Sequence, residues 1–362
     1  MATQTRKQAL SLPKLSALAT AVPAHCLAQS DIRTWARGQF DGRVRDIDRM
    51  LPAFDNAGID TRYSCMPLDW FSTPRGWAEK NACYMEHALN LLTEAAENCL
   101  AQAGLAPQDI DVIVTVSTTG IATPSLDAHL LNRLPFRADT ARLPIFGLGC
   151  AGGVNGLARA AEIARARPGR RVLFLVVELC GLTFRSADLS KSNVIATALF
   201  GDGAAAAVIT TDGPGPRITR WGEHTWPQSL GVMGWTVEED GLGVVFSRDI
   251  PHLVETELPP VIDRYLARDN LSLQHINSFV AHPGGEKVIS ALETVFGQAP
   301  GGLTHARTVL RDFGNMSAAT VLFVLRRVLD AGFNAAPGER ALMSALGPGF
   351  TAGFVTLEAA SA

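Results

Sequence analysis

Gln108-Asp-Ile-Asp-Val-Ile-Val-Thr-Val116 resembles Gln274-His-Ile-Asn-Ser-Phe-Val-Ala-His282, and each segment is followed by a turn and then a helical run. An internal repeat of this kind reads as one structural unit used twice. The register continues past the repeat: Val116 to Cys150 spans 34 positions and His282 to Asn315 spans 33. Three polar residues are therefore expected at the ends of equivalent strands. Cys150 and Asn315 each follow a glycine, Gly149 and Gly314. The Gly/Pro-rich segment 212–216 is the natural joint, giving one half over 1–212 with the cysteine and a second over 213–362 with the histidine and asparagine.

Strand-like and helical runs alternate along both halves, which points to an α/β layered fold. Residues 15–22, 110–116 and 171–177 are apolar and read as buried strands. Residues 82–102 carry Leu89, Leu92, Ala95, Ala96 and Leu100 at helical spacing, with Gly104 as the stop. Residues 321–329 read as a helix, and 340–345 as a strand running into the tight turn Gly347-Pro348-Gly349.

Phe146-Gly-Leu-Gly-Cys-Ala-Gly-Gly153 stands between an apolar run and a helical stretch. A strand turning sharply into a helix exposes the side chain at the turn, and the helix N-terminus favours negative charge there. Cys150 is thus expected to be a nucleophile held toward the thiolate, against an ordinary cysteine pKa of roughly 8.5. Cys26, Cys65, Cys83, Cys99 and Cys180 form no CxxC pair or zinc-type cluster, and His224, His252 and His305 show no metal spacing. Neither a structural metal nor a disulfide framework is expected.

With 362 residues, 47% hydrophobic and 19% charged, the chain buries a large core. A net charge of -3 without a Lys/Arg block argues against nucleic acid as a partner. Arg6, Lys7 and Lys14 ahead of residues 15–22 and Ala21-Val-Pro-Ala24 faintly resemble a secretory signal. A first strand followed by a loop is the simpler reading. No stretch reaches the roughly 18 to 20 apolar residues of a membrane span.

If the two halves pack about a pseudo-twofold axis, Cys150, His282 and Asn315 meet in one pocket. A cysteine beside an imidazole accepts an acyl group from a thioester. An imidazole N–H and an asparagine N–H aimed at one oxygen hold an oxyanion and suit decarboxylation to an enolate. Each residue also has a plainer reading: a small buried hydrophobe, a structural histidine, a turn asparagine. Their matching places in the repeat favour the joint reading.

Gly149-Cys-Ala-Gly-Gly153, Ala198-Leu-Phe-Gly-Asp-Gly-Ala-Ala205, Ala281-His-Pro-Gly-Gly285, Phe313-Gly-Asn-Met-Ser-Ala318 and Gly347-Pro-Gly349, in this order, resemble the type III polyketide synthases, the chalcone synthase-like branch of the thiolase fold. The resemblance spans nearly the whole chain. It implies a cytoplasmic homodimer of five-layered αβαβα subunits with Cys150, His282 and Asn315 as catalytic triad and no cofactor beyond acyl-CoA and malonyl-CoA substrates. It places Phe200 as a gatekeeper where a CoA tunnel meets the cavity, and Thr118, Cys180, Thr183, Trp235, Val244, Gly347 and Pro348 around the substrate.

Val244 falls where chalcone synthases carry a second gatekeeper Phe, Cys180 where they carry Thr, and Trp235 where they carry Gly. The small Val244 is expected to widen the passage, or simply to pack the core. Glu178-Leu-Cys-Gly-Leu-Thr-Phe184, Asp188-Leu-Ser-Lys-Ser-Asn193 and Met233-Gly-Trp235 resemble the bacterial alkylpyrone and alkylresorcinol synthases, which implies a medium or long fatty acyl starter. Arg49, Gly284, Lys287 and Ser317 are the expected CoA contacts, with Arg43 or Arg45 as substitutes. Asp202 reads as a turn former, Glu178 as either buried and hydrogen-bonded or, the favoured reading, structural at a dimer interface, and Ser190, Lys191 and Asn193 as a capped surface loop.

Three rivals remain open. The initiation enzymes of fatty-acid synthesis share the Cys, His, Asn order, but Met316 and the Leu199-Phe200 run depart from their pattern. A Cys-His-Asn hydrolase shares the chain order and lacks an account of the repeat. A non-catalytic thiolase-fold subunit has no need of all three polar residues.

Overall fold

The computed structural model describes residues 11–44, 47–333 and 336–360. Among them the strands are β1 (Lys14–Ala21), β2 (His25–Ala28), β3 (Thr61–Ser64), β4 (Val112–Val116), β5 (Ala141–Ile145), β6 (Val172–Leu179), β7 (Asp202–Thr210), β8 (Arg217–Thr225), β9 (Met233–Glu238), β10 (Gly241–Phe246), β11 (Ser278–Ala281), β12 (Arg340–Gly347) and β13 (Thr351–Glu358). The helices are α1 (Gln29–Phe40), α2 (Pro52–Asp55), α3 (Trp77–Ala103), α4 (Leu126–Leu130), α5 (Gly152–Ala166), α6 (Lys191–Leu199), α7 (Ile250–Glu257), α8 (Pro259–Ala267), α9 (Glu286–Val295), α10 (Thr304–Phe313) and α11 (Thr320–Asp330).

The repeat is written into the sheet order, β11-β12-β13-β8-β1-β7-β6-β4-β5. Outward from the centre, β1-β7-β6-β4 is matched by β8-β13-β12-β11. Directions match too: β1 and β8 run antiparallel to β7 and β13, these antiparallel to β6 and β12, and these parallel to β4 and β11. The halves join at a single β pair, Lys14 with Arg217, at the ends of the 212–216 connection.

Alternation along the buried strands builds two cores from one sheet. Val172, Phe174 and Val176 of β6 and Ala205, Ala207 and Ile209 of β7 face the core that holds α5 and α11. Leu173, Leu175, Val177, Ala204, Ala206 and Val208 face the core covered by α3. Helix α5 touches β4, β6 and β7 of the first half and β8, β12 and β13 of the second. Helices α5 and α11 therefore form the middle layer, with α3 outside the first half of the sheet and α7, α8 and α9 outside the second. This is the five-layered thiolase-like arrangement. So close an approach needs glycine: a Cβ on Gly153 of α5 would stand 2.2 Å from the Ala318 carbonyl oxygen.

The helix expected over 82–102 starts earlier, at Trp77, and ends where expected, with Gly104 left-handed at φ 64°. One expectation is corrected. Only His282 follows a strand directly; Cys150 and Asn315 lie at the N-terminal approaches of the equivalent helices α5 and α11, in or beside the 3-10 turns Gly149–Ala151 and Ser317–Ala319. The two halves reach those turns differently, through β5 in one and through α10 in the other. The near-equal spacing conceals that substitution.

Candidate active site

The turn carrying Cys150 is shaped by its neighbours. Gly149 adopts φ +47°, and a Cβ there would meet Pro348 Cδ at 2.6 Å. Its N–H donates to Thr118 Oγ1 (3.2 Å). Gly347 lies equally close to Ala151, so the Gly347-Pro348-Gly349 turn is the floor under the nucleophile and does not line its cavity.

His282 extends β11 by one rung, its N–H donating to Ser344 O (2.9 Å). The ring is buried, and neither Nδ1 nor Nε2 has a partner. Asn315 is fixed on both sides of its amide: Nδ2 donates to Gly284 O (3.1 Å), and Oδ1 accepts from Ser317 N (2.8 Å). The Ser317 hydroxyl is within hydrogen-bonding reach of the Cys150 thiol. Ser317 is thus buried beside the nucleophile, away from the mouth where CoA contacts were expected.

Cys150, His282 and Asn315 line one cavity of about 600 Å³. The buried triad closes its inner end, and the exposed side chains of Arg49, Lys191, Arg248 and Lys287 mark its opening. Lys191 and Arg248 escaped the sequence reading because only the fold brings α6 and the β10–α7 link to this rim. Arg43 instead donates to Gln39 O and Ser186 O and does not line the cavity. Arg45 lies outside the described residues.

Phe200, Cys180, Trp235 and Val244 form a separate apolar cluster with Ala196, Leu199 and Phe246. Phe200 is edge-on to Trp235 (6.0 Å between centroids) and to Phe246 (5.8 Å). Val244 pairs across the β9–β10 hairpin with Trp235. Val244 thus packs in the cluster beside the Trp235 indole, which stands against Phe200. Beyond Phe200 and Cys180 lies a second, smaller cavity of about 60 Å³, walled by Ile32, Trp35, Leu68, Phe71 and Phe184 and reached by Thr183.

Glu178 takes the buried, hydrogen-bonded one of its two readings, and two further expectations, at Asp202 and Ser190, change. Glu178 lies inside the subunit at the end of β6, accepting from Thr118 N (2.9 Å) and Thr119 Oγ1 (2.8 Å). Asp202 opens β7 fully buried, its carboxylate accepting from Cys65 N and Gly181 N (2.8 Å each), so it ties two chain segments and forms no turn. Ser190 caps a helix, α6, and does not sit in a free loop; Asn193 is buried beneath it.

The electrostatics reverse the expected thiolate. Burial pushes the Cys150 thiol up to about 11, the Ser317 contact opposing and the Glu178 charge reinforcing the rise. Burial alone takes His282 down to about 4. Burial also lifts Glu178 to about 8 against the N–H and hydroxyl donors of Thr118 and Thr119. Near neutrality the resting site holds a thiol, a neutral imidazole and a largely protonated carboxyl. The helix terminus is outweighed because desolvation penalises every charged form.

Two mirrored α/β halves with a buried cysteine, histidine and asparagine around one cavity define a condensing enzyme of the thiolase-like class. Residues 2–214 match the N-terminal domain of the chalcone and stilbene synthases and 221–360 their C-terminal domain. A putative chalcone synthase of Bacillus subtilis (strain 168) is 40% identical over 348 residues, covering 92% of this chain and 95% of the relative. A 1,3,6,8-tetrahydroxynaphthalene synthase of Streptomyces peucetius subsp. caesius is 37% identical over 351 residues, covering 95% and 92%. The solved 1,3,6,8-tetrahydroxynaphthalene synthase of Streptomyces coelicolor A3(2), a bacterial type III polyketide synthase, superposes with a TM-score of 0.91 at 29% identity, covering 96% of this chain and all of that one. The chain belongs to the chalcone and stilbene synthase family and is a type III polyketide synthase, a condensing acyltransferase.

The raised thiol predicts how the free enzyme reacts. Alkylation of Cys150 by iodoacetamide is expected to climb steadily above pH 8 with an inflection near 11. An inflection at or below pH 7 demonstrates a preformed thiolate–imidazolium pair and overturns the neutral resting state.

Proposed function

We propose that the enzyme joins malonyl units to an acyl-CoA starter by repeated decarboxylative Claisen condensation and cyclises the product to an alkylpyrone or alkylresorcinol. The observation that carries this reading is the convergence of Cys150, His282 and Asn315 on one cavity, with both His282 ring nitrogens unpartnered. When a thioester enters, neutral His282 takes the Cys150 proton, the sulfur attacks the carbonyl, and the departing CoA thiolate recovers a proton. Malonyl-CoA then loses carbon dioxide. The enolate oxygen rests on the His282 N–H and the Asn315 Nδ2–H, and its carbon attacks the acyl-cysteine and releases the Cys150 thiolate, which regains a proton from water. The cations Arg49, Lys191, Arg248 and Lys287 at the mouth hold the CoA phosphates.

The apolar lining of the main cavity, Leu199, Met233, Phe246, Ile250 and Leu258, supports a fatty starter, since each buried CH₂ adds about 0.8 kcal/mol. A second reading, a short starter, has its own support in the Trp235 indole against Phe200 and in relatives named for tetrahydroxynaphthalene synthesis.

Assembly belongs to the same proposal. β5 is an edge strand exposed along almost its whole length, and Leu143 and Phe146 stand out from it with Ile121 exposed in the loop after β4. An apolar edge of this kind invites a second copy, and we assign a homodimer to it.

Three results test this reading. Cys150→Ala is expected to abolish acyl loading while retaining malonyl-CoA decarboxylation, and Asn315→Ala to lower decarboxylation by about 10²- to 10³-fold while leaving loading intact; full product from Cys150→Ala refutes the mechanism. Mass spectrometry of products from acyl-CoA starters of increasing length should favour long chains, with Trp235→Gly extending and Val244→Phe shortening the preferred length. Products restricted to acetyl or malonyl starters in all three proteins leave only the short-starter reading. Phe146→Glu should convert a dimer to a monomer by light scattering, and a wild-type monomer removes the assembly proposal.

A further inference from the structure

Arg62 is buried, at 3% exposure, and lies outside the triad. Its Nη1 donates to Phe200 O (2.7 Å) and its Nη2 to Gln29 Oε1 (2.6 Å). Gln29 Nε2 in turn donates to Ala198 O (2.9 Å) and Phe54 O (3.2 Å). Between the Ala198 and Phe200 carbonyls, Leu199 O accepts from Asn315 N (2.8 Å), and Asn315 O accepts from Gly201 N (3.0 Å), forming a parallel bridge of Phe200 with Asn315. Three successive carbonyls at the end of α6 are thus each bonded: by Gln29, by the Asn315 backbone and by Arg62.

The Arg62 stem packs on the same joint. Added Cβ atoms on Gly201 and Gly314 would stand 3.3 Å and 3.4 Å from Arg62 Cβ. The nearby counter-charge is Asp202, itself held by Cys65 and Gly181. A buried charge pair is weak evidence for stability, since apolar residues of similar volume often serve as well. A planar guanidinium, by contrast, reaches two fixed acceptors at once.

We infer that Arg62, braced by Gln29, is a positioning residue that sets Asn315 and Phe200 relative to each other through the backbone bridge between them. This rests on the proposed role of Asn315. The bridge belongs to the asparagine side of the site, while Cys150 hangs from α5 and the Thr118 contact. Loss of Arg62 therefore acts on the enolate-forming step and on passage past Phe200, and spares acylation of Cys150.

The test compares Arg62→Met, Arg62→Lys and Gln29→Leu in the full-length enzyme. Arg62→Met should lower kcat for malonyl-CoA decarboxylation by up to about 10²-fold, the scale of a small misplacement of a catalytic group. The KM for malonyl-CoA and the acylation rate of Cys150, followed by mass spectrometry, should stay within about twofold of wild type. Arg62→Lys keeps one donor for Phe200 O and should recover part of the loss. Gln29→Leu, which leaves Arg62 on Phe200, should give the same split in smaller measure and decides the question if Arg62→Met does not fold. Equal loss of acylation and decarboxylation, or no loss of either, overturns the inference. If Asn315→Ala itself leaves decarboxylation intact, the underlying reading fails; if Asn315→Ala impairs it and the Arg62 and Gln29 variants do not, only the positioning role fails.

Discussion

The contact between α5 and α11, side by side between the two halves of the sheet, sets the position of everything chemical in this protein. Cys150 lies at the N-terminal approach of one helix and Asn315 at that of the other. Gly153 against the Ala318 carbonyl fixes how closely the two approaches meet. His282 arrives separately, at the end of β11, whose neighbour β12 delivers the Gly347–Gly349 turn beneath Cys150. The site is thus a product of layer packing. A displacement of the middle layer moves the sulfur and the amide together, and the imidazole independently.

The three side chains are buried, and burial governs their charge states. Desolvation holds Cys150 protonated and His282 neutral, so the uncharged pair has no electrostatic cost while idle. A largely protonated Glu178 nearby avoids placing a second anion beside the sulfur. The thiolate then forms as a substrate carbonyl arrives to receive it. On the proposed mechanism the departing CoA thiolate takes the Cys150 proton from His282, and the neutral imidazole keeps one N–H, the donor that an enolate needs.

Much of this was legible in the sequence, because period and repeat are one-dimensional quantities. The match of residues 108–116 with 274–282 identified β4 and β11 as equivalents and made Cys150, His282 and Asn315 a set. Other features were not legible. The exchange of β5 for α10 preserves spacing while changing structure. The thiolate expected from a helix terminus ignored burial, which depends on the packed environment. Arg62 gave no signal, as its partners at Gln29 and Phe200 lie 33 and 138 positions away. At Val244 a wider passage and core packing were not separable, because a local size comparison cannot show that Trp235, on the neighbouring strand, pairs with it.

That last point makes the hairpin, more than any one residue on it, the frame around Phe200. Trp235 and Phe246 both sit on β9 and β10 and close on Phe200 from one side, while Arg62 fixes the Phe200 backbone from the other. The hairpin is anchored at its turn: Lys80 of α3 donates to Asp240 O (3.1 Å) and Phe184 O (2.6 Å), and Arg185 pairs with Asp240. Phe184 also lines the small cavity beyond the gate. One set of bonds thus ties the hairpin to the cavity wall, and the aromatic contacts at Phe200 span a gap whose two sides are separately fixed. A side-chain change at position 235 or 244 acts on the aperture directly, whereas loss of Lys80 or Asp240 contacts loosens its frame.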